Sequence, residues 1–177
     1  MPSAVTHAVV GAAAAVAFAP QGAEHIWPYA VASSTILDLD VISFFVPARY
    51  HHFFGHRGFF HSLFFCLFLA VSMTAIFLWY GGPVSGGWYT YLTFFFLLSA
   101  NHGFLDMLTK ANTGVAVFSP FKTTRYLFPW RPIPPSPFDI SAFVGARGLN
   151  LLRIELLGIW VPSLAVVAAS ELLRHLT

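Results

Sequence analysis

Apolar residues run almost unbroken through five stretches of this chain, at about 4–19, 27–46, 59–80, 88–107 and 154–173. Each comes near the roughly 17 to 25 residues that a helix needs to cross a bilayer. The connections carry turn chemistry: Pro20-Gln21-Gly22, then Pro47 with Arg49, then Gly81-Gly82-Pro83 and Gly86-Gly87, then a long segment from Thr109 to Arg153. The pattern predicts an all-α integral membrane bundle of about five transmembrane helices, forming one domain over residues 1–177. Trp27, Tyr80, Trp88 and Tyr89 lie at run ends, where interfacial aromatics are expected.

The stretch from Ser119 to Ile140 is too rich in proline to be a regular helix. It predicts a Pro/aromatic-rich surface loop before the last helix. Its rings would enter the headgroup layer while Lys122, Arg125 and Arg131 face lipid phosphates, and the loop is placed to act as a lid.

Composition fits this reading. The 177 residues are 57% hydrophobic and 9% charged, where a soluble domain carries about a quarter charged residues. No separate soluble domain fits beside five spans. A net charge of +2, dispersed along the chain, argues against nucleic acid as a partner. The single cysteine, Cys66, sits inside an apolar run, so neither a disulfide framework nor a thiolate zinc site is available. Residues 1–10 contain no Lys or Arg, so the first run reads as a mature helix and not as a signal peptide.

Five spans put the connections at 47–58 and 108–153 on the side of the N-terminus. That side holds Arg49, Arg57, Lys110, Lys122, Arg125, Arg131, Arg147 and Arg153, while the other has Glu24 in its loops and Arg174 near the C-terminus. The excess of basic residues predicts that the first side is cytoplasmic.

Four polar clusters interrupt the apolar runs: His7; Asp38 with Asp40; His56-Arg57-Gly58-Phe59-Phe60-His61-Ser62; and His102 with Asp106. An unpaired ionisable side chain in hydrocarbon costs roughly 2.5 kcal/mol or more at mid-bilayer, so such groups point to something bound. Measured at 1.5 Å of rise per helical residue, all four clusters fall at a shallow level near the same ends of their runs. His102 and Asp106, four apart, share a helix face, and so would Arg57 and His61. His56 belongs to the loop entering the third helix. Asp38 and Asp40, two apart, point to opposite faces of a regular helix, so the sequence predicts local unwinding there or two metals.

Seven residues are candidate metal ligands: His7, Asp38, Asp40, His56, His61, His102 and Asp106. A catalytic zinc needs about three protein ligands and an open position, so one ion with supporting residues, or two ions, would absorb them. Nitrogen and oxygen donors suit zinc, with manganese as an alternative. A bound water acidified by the metal would be the nucleophile, Asp106 or Asp38 its general base, and Arg57, Arg125 and Arg131 the groups that hold a phosphate. Blander roles exist for several of these. His7 could make a helix-to-helix hydrogen bond, the aspartates could pair with arginines, and Arg57 could simply set topology. His51 and His52 read as solvated loop residues, and Asp139, Glu155 and Glu171 as interfacial or structural. His25 and His175 fall on the opposite side.

Taken in order, Thr6-His7-x3-Gly11, Asp38-x-Asp40, His56-Arg57-Gly58-x2-His61-Ser62 and His102-x3-Asp106, followed by Pro120-Phe121-Lys122 and Phe128-Pro129-Trp130-Arg131-Pro132, resemble the YdjM-like family of bacterial inner-membrane metal-dependent hydrolases. Leu37 stands where that family often has Pro, and Phe60 where it often has Thr; neither is a candidate ligand. The resemblance implies a multi-pass protein of the bacterial inner membrane with metal-dependent hydrolase chemistry. Together with the shallow site, it predicts hydrolysis of a lipid ester or phosphoester, the membrane lipid being the partner. A metal-ion transporter and a noncatalytic protein with a structural metal are the alternatives.

Overall fold

A computed structural model describes residues 1–45, 53–83, 86–137 and 139–176. Six α-helices occur among these residues, and no strand. His51, His52, Pro47 and Arg49 lie outside the described residues.

Helix α1, Ala4–Phe18, starts where the Ser3 side chain accepts a hydrogen bond from the Thr6 N–H at 3.2 Å, a favourable N-cap. Helix α2, Trp27–Thr35, follows with Pro28 in its first turn, the position where a missing N–H costs nothing. The two helices pack at Gly11, where an added Cβ would lie 2.9 Å from Ala30 O. Such a small residue lets two backbones approach closely.

The second apolar run is not one regular helix. At Ile36 the backbone tightens into a 3₁₀ helix that continues to Phe45, so the expected local unwinding around Asp38 is present. Side chains contribute to the change: the Ser34 and Thr35 hydroxyls both donate to Val31 O, at 2.9 and 2.8 Å. Such back-bonding weakens a helix ladder.

The third run also differs from expectation. Helix α3 spans Leu63–Trp79 and begins at Ser62, whose side chain accepts from the Phe65 N–H at 3.1 Å. Phe59–His61 is a 3₁₀ turn ahead of it. Arg57 and His61 therefore do not share a helix face. Arg57 has a φ of 58°, and an added Cβ at Gly58 would sit 2.7 Å from Gly55 O. The loop is wound too tightly there for any residue but glycine.

Helix α4, Trp88–Met107, closes the core with α3. Leu37, Cys66, Leu69, Ala70, Met73, Phe77, Tyr91, Phe95 and Leu98 are buried between the helices. Cys66 is a packing residue, as expected.

Residues 108–137 form the expected irregular loop. It is anchored across the N-terminal end of α3 and the C-terminal end of α4: Leu63 N–H donates to Val117 O at 3.0 Å, Ala116 N–H to Arg57 O at 2.9 Å, and Phe128 N–H to Met107 O at 3.2 Å. Phe121 and Trp130 remain exposed. Helix α5, Ile140–Val144, is capped by Asp139, whose carboxylate is held below its usual range by the Ser141 hydroxyl and the Ala142 N–H.

Helix α6, Ala146–Leu176, starts earlier than the expected last span and contains a π-helical turn at Leu156–Trp160. It is the one described helix long and apolar enough by itself to cross a membrane; α1 and α3 are apolar but shorter. Its junction with α1 is polar. Buried Glu155 accepts hydrogen bonds from the Ser3 N–H and hydroxyl, both at 2.6 Å, and from the Thr6 hydroxyl at 2.8 Å. Trp160 Nε1–H donates to Thr6 Oγ1 at 2.7 Å. Glu155 is therefore structural, one of the two roles anticipated for it.

Candidate metal centre

All four polar clusters meet at one end of the bundle. His7 comes from the first turn of α1, Asp38 and Asp40 from the 3₁₀ stretch, His56 and His61 from the tight loop before α3, and His102 and Asp106 from the last turns of α4. Each of these side chains is buried, His102 being 1% and Asp106 0% exposed.

Asp38, His61, His102 and Asp106 form one group of potential donors. One donor atom from each lies within 4.8 Å of all the others, an arrangement that could hold a metal ion. Nε2 of His61 and Nε2 of His102 are 3.2 Å apart. His102 Nε2 is 3.4 Å from Asp38 Oδ1, and His61 Nε2 is 3.5 Å from Asp106 Oδ2.

The outer nitrogens determine what these inner ones present. His102 Nδ1 lies 2.7 Å from Ser34 O, and a carbonyl can only accept, so Nδ1 carries the hydrogen. His61 Nδ1 lies 2.9 Å from Asp40 Oδ2, where a nitrogen lone pair would face an anion; it too carries its hydrogen. With both rings neutral, the two Nε2 atoms would turn lone pairs toward each other. Two lone pairs at that distance repel unless a cation or a proton lies between them. The orienting contacts on Nδ1 are those that fix a metal-ligating imidazole.

The carboxylates carry the same signal. Neither oxygen of Asp38 or of Asp106 has an aligned hydrogen bond, and neither does His7 Nε2 or His61 Nδ1, whose contact with Asp40 is an ionic one at 2.9 Å. Buried polar atoms without partners are rare because each costs about 1–3 kcal/mol, and more when charged. Asp106 does have an ionic neighbour, Arg57 Nε at 3.0 Å from Oδ2, although the N–H is not aimed along that line. Asp38, Asp40 and Asp106 outnumber Arg57, so the buried cluster has a surplus of acidic side chains that protonated imidazole or a bound cation must balance.

Two expected ligands have other work. Asp40 bonds outward through both oxygens: Oδ1 lies 2.7 Å from His56 Nδ1, and Oδ2 accepts from the Arg57 N–H at 2.9 Å while facing His61 Nδ1. It orients imidazoles and does not point to the cluster. Asp38 and Asp40 thus serve different partners, as their spacing suggested. His56 stands behind Asp40, its ring edge-on to that of His61 at 5.8 Å. His7 lies at the margin: its ring stacks on His102 at 3.7 Å, and Nε2 is 3.7 Å from Asp106 Oδ1.

The arginines are drawn into the protein. Arg57, 1% exposed, donates from Nη1 to Thr113 O at 3.0 Å and from Nη2 to the Thr109 hydroxyl at 2.7 Å. With Asp106 on Nε, its guanidinium braces the centre and ties the loop to it. Its sequence-based role as a phosphate ligand does not fit this commitment. Arg125 Nη1 donates to His56 O and Gly114 O, and Arg131 Nη1 donates to Ala111 O. Both are half-buried struts of the loop.

Several contributors escaped sequence reading. Ser34 acts through its carbonyl, for which no side chain gives a signal. Thr109 was legible only as the residue three beyond Asp106; its hydroxyl donates to Asp106 O at 2.7 Å and accepts from Arg57. The Met1 amino group reaches this end of the bundle as well, and burial pushes its pKa down to about 6.

The model of the family described as YdjM inner membrane protein matches residues 1–175. The chain is also 30% identical over 174 residues to inner membrane protein YbcI of Escherichia coli strain K12, covering 94% of this chain and 95% of that one. No solved structure matches.

Proposed function

The chain belongs to the YdjM inner membrane protein family, and from that premise we propose that it is a membrane-bound, metal-dependent hydrolase of a lipid ester or phosphoester. In this reading α1 to α4 and α6 form the five-helix membrane bundle, the second helix being broken at Ile36, and the centre lies toward the cytoplasmic face.

The observation that carries the proposal is the close approach of Nε2 of His61 and Nε2 of His102, 3.2 Å apart and flanked by the carboxylates of Asp38 and Asp106, whose oxygens have no aligned hydrogen bond. Two imidazoles and two carboxylates suit zinc, with manganese next. When bound, such an ion supplies Lewis acidity and brings the pKa of water toward neutrality.

The chain's own residues do the rest. His61 and His102 keep their lone pairs inward because Asp40 and Ser34 O hold their other nitrogens. Asp38, the more accessible carboxylate at 7% exposed, is placed to take a proton from the attacking water and return it to the leaving oxygen. Asp106 is braced by Arg57, whose Nε lies 3.0 Å from its Oδ2. The loop at 108–137 shields the centre from bulk water.

The test is to measure metal in purified protein and to assay a panel of lipid esters and phosphoesters with wild type and His102→Ala. Metal-dependent turnover that His102→Ala abolishes supports the reading. Stoichiometric metal without turnover of any member supports a structural ion instead. Turnover that survives loss of the metal removes the mechanism.

A further inference from the structure

An apolar groove of about 410 Å³ runs between α3 and α4, and one of the residues lining it is His61. Leu63, Ala100, Phe104, Met107 and Val117 form its walls. It shares Leu63 and Val117 with a second apolar groove of about 450 Å³, which continues past Leu67 and Phe96 to Phe118 and Phe121 of the loop. The two grooves adjoin at these shared residues.

Three features define the occupant. This pair of grooves opens between helix faces whose exposed residues are Phe64, Leu67, Phe68, Leu97 and Phe104, the surface that a bilayer would cover. Besides His61, the polar residues of its lining are Asn101, Thr93 and Ser119, and the rest is apolar, so it offers much to hydrocarbon. His61, whose side chain is buried in the metal centre, borders it on one side, and Phe118 and Phe121 of the loop border it on the other.

We propose that these grooves seat one acyl chain of a membrane amphiphile and bring the bond next to its headgroup sideways from the bilayer to His61 and the metal centre. The volumes fall in the range of built ligand sites, about 300–1,000 Å³. Hydrocarbon in the grooves places the polar end of the same molecule at His61 without moving a charge through the apolar wall. This inference rests on the hydrolase reading for its chemistry, but occupancy of the groove can be read separately.

Ala100 lines the groove without contributing a donor atom to the metal centre. Ala100→Phe would fill the groove, and Ala100→Val would narrow it with less disturbance. The probe is phosphatidylethanolamine bearing a diazirine midway along its palmitoyl chain, in nanodiscs of phosphatidylethanolamine and phosphatidylglycerol. In wild type the label is expected on the stretch from Leu97 to Met107. Labelling there should fall by roughly tenfold in Ala100→Phe and less in Ala100→Val, on the scale by which an apolar pocket discriminates size. Bound metal should remain, which shows that the bundle is intact.

Label spread evenly over the outer faces of α3, α4 and α6, or label at 97–107 unaffected by either variant, overturns the inference; that is the pattern of annular lipid. In an activity assay the preference for palmitoyl over butyryl substrates should drop by about the same factor. Specific labelling with no turnover by wild type leaves the acyl site standing and removes the hydrolase reading. Turnover with no chain-length preference and no specific label does the reverse.

Discussion

His61 and His102 meet through Nε2 atoms 3.2 Å apart, while Nδ1 of each is held from behind, by Asp40 and by Ser34 O. Neither ring can turn its Nε2 away without losing that outer contact. The pair is therefore preorganised for a cation. Wild-type protein dialysed against zinc is expected to retain a stoichiometric ion by elemental analysis, whereas His61→Ala and His102→Ala should retain almost none. Equal metal in either variant would exclude that histidine from the centre.

Asp40 is expected to act at one remove. Its carboxylate faces the Nδ1 atoms of both His56 and His61. In Asp40→Asn both lose the anion beside them and one must face the amide NH₂ in place of an acceptor, which is repulsive against an N–H. Supporting residues of this kind typically change metal affinity by 10- to 100-fold. Competition with a chromogenic chelator should show a weakening of that order without loss of stoichiometry at saturating zinc. Complete loss of binding would instead make Asp40 a direct ligand.

Much of this centre was legible before any coordinates, because ionisable residues in apolar runs have few tolerable roles. His7, Asp38, His61, His102 and Asp106 stood out for that reason, and the common level of the runs brought them to one end. The division of labour was not legible. Asp38 and Asp40 look alike in sequence, and only the 3₁₀ geometry sends one to His102 and the other to His56 and His61. Arg57 read as a phosphate ligand or a topology charge; the tight turn at Gly58 folds it inward onto Asp106. The lengths of the helices were the least legible, since hydropathy continues through Phe59–His61 and Ile36–Phe45 while the backbone changes form.

Arg57 is the cationic side chain braced against Asp106 in the buried cluster. Removing one partner of a buried pair typically costs about 3–5 kcal/mol, because the other charge stays uncompensated. Arg57→Met should lower the unfolding temperature sharply in chelated protein. Arg57→Lys should not rescue it, since one ammonium cannot meet Asp106, Thr109 and Thr113 in the fixed geometry of a guanidinium. A neutral outcome for Arg57→Met would mean that Asp106 is protonated in the folded protein.

The α1–α6 junction offers a control away from the centre. Glu155→Ala strips the acceptor from the Ser3 N–H, the Ser3 hydroxyl and the Thr6 hydroxyl. At about 1–3 kcal/mol for a buried donor left unpaired, the variant should be clearly less stable. Metal stoichiometry should be preserved, because Glu155 does not belong to the donor cluster. Loss of the ion together with stability would show that α1 must be docked for the centre to form.

The final prediction runs against the usual cost of a mutation. Asp38 holds a buried carboxylate with no aligned hydrogen bond in a cluster already over-supplied with acidic side chains. Burying an unpaired ion costs several kcal/mol, whereas a neutral amide in the same place costs less. Asp38→Asn should therefore raise the unfolding temperature of protein stripped with a chelator. In zinc the order should reverse, because wild type gains the binding term, about 2.7 kcal/mol at a ligand concentration a hundred times Kd, and the weakened variant gains less. Thermal unfolding in detergent, with and without chelator, gives both comparisons in one experiment. If Asp38→Asn is the less stable protein in both conditions, its carboxylate is balanced by something other than a bound cation.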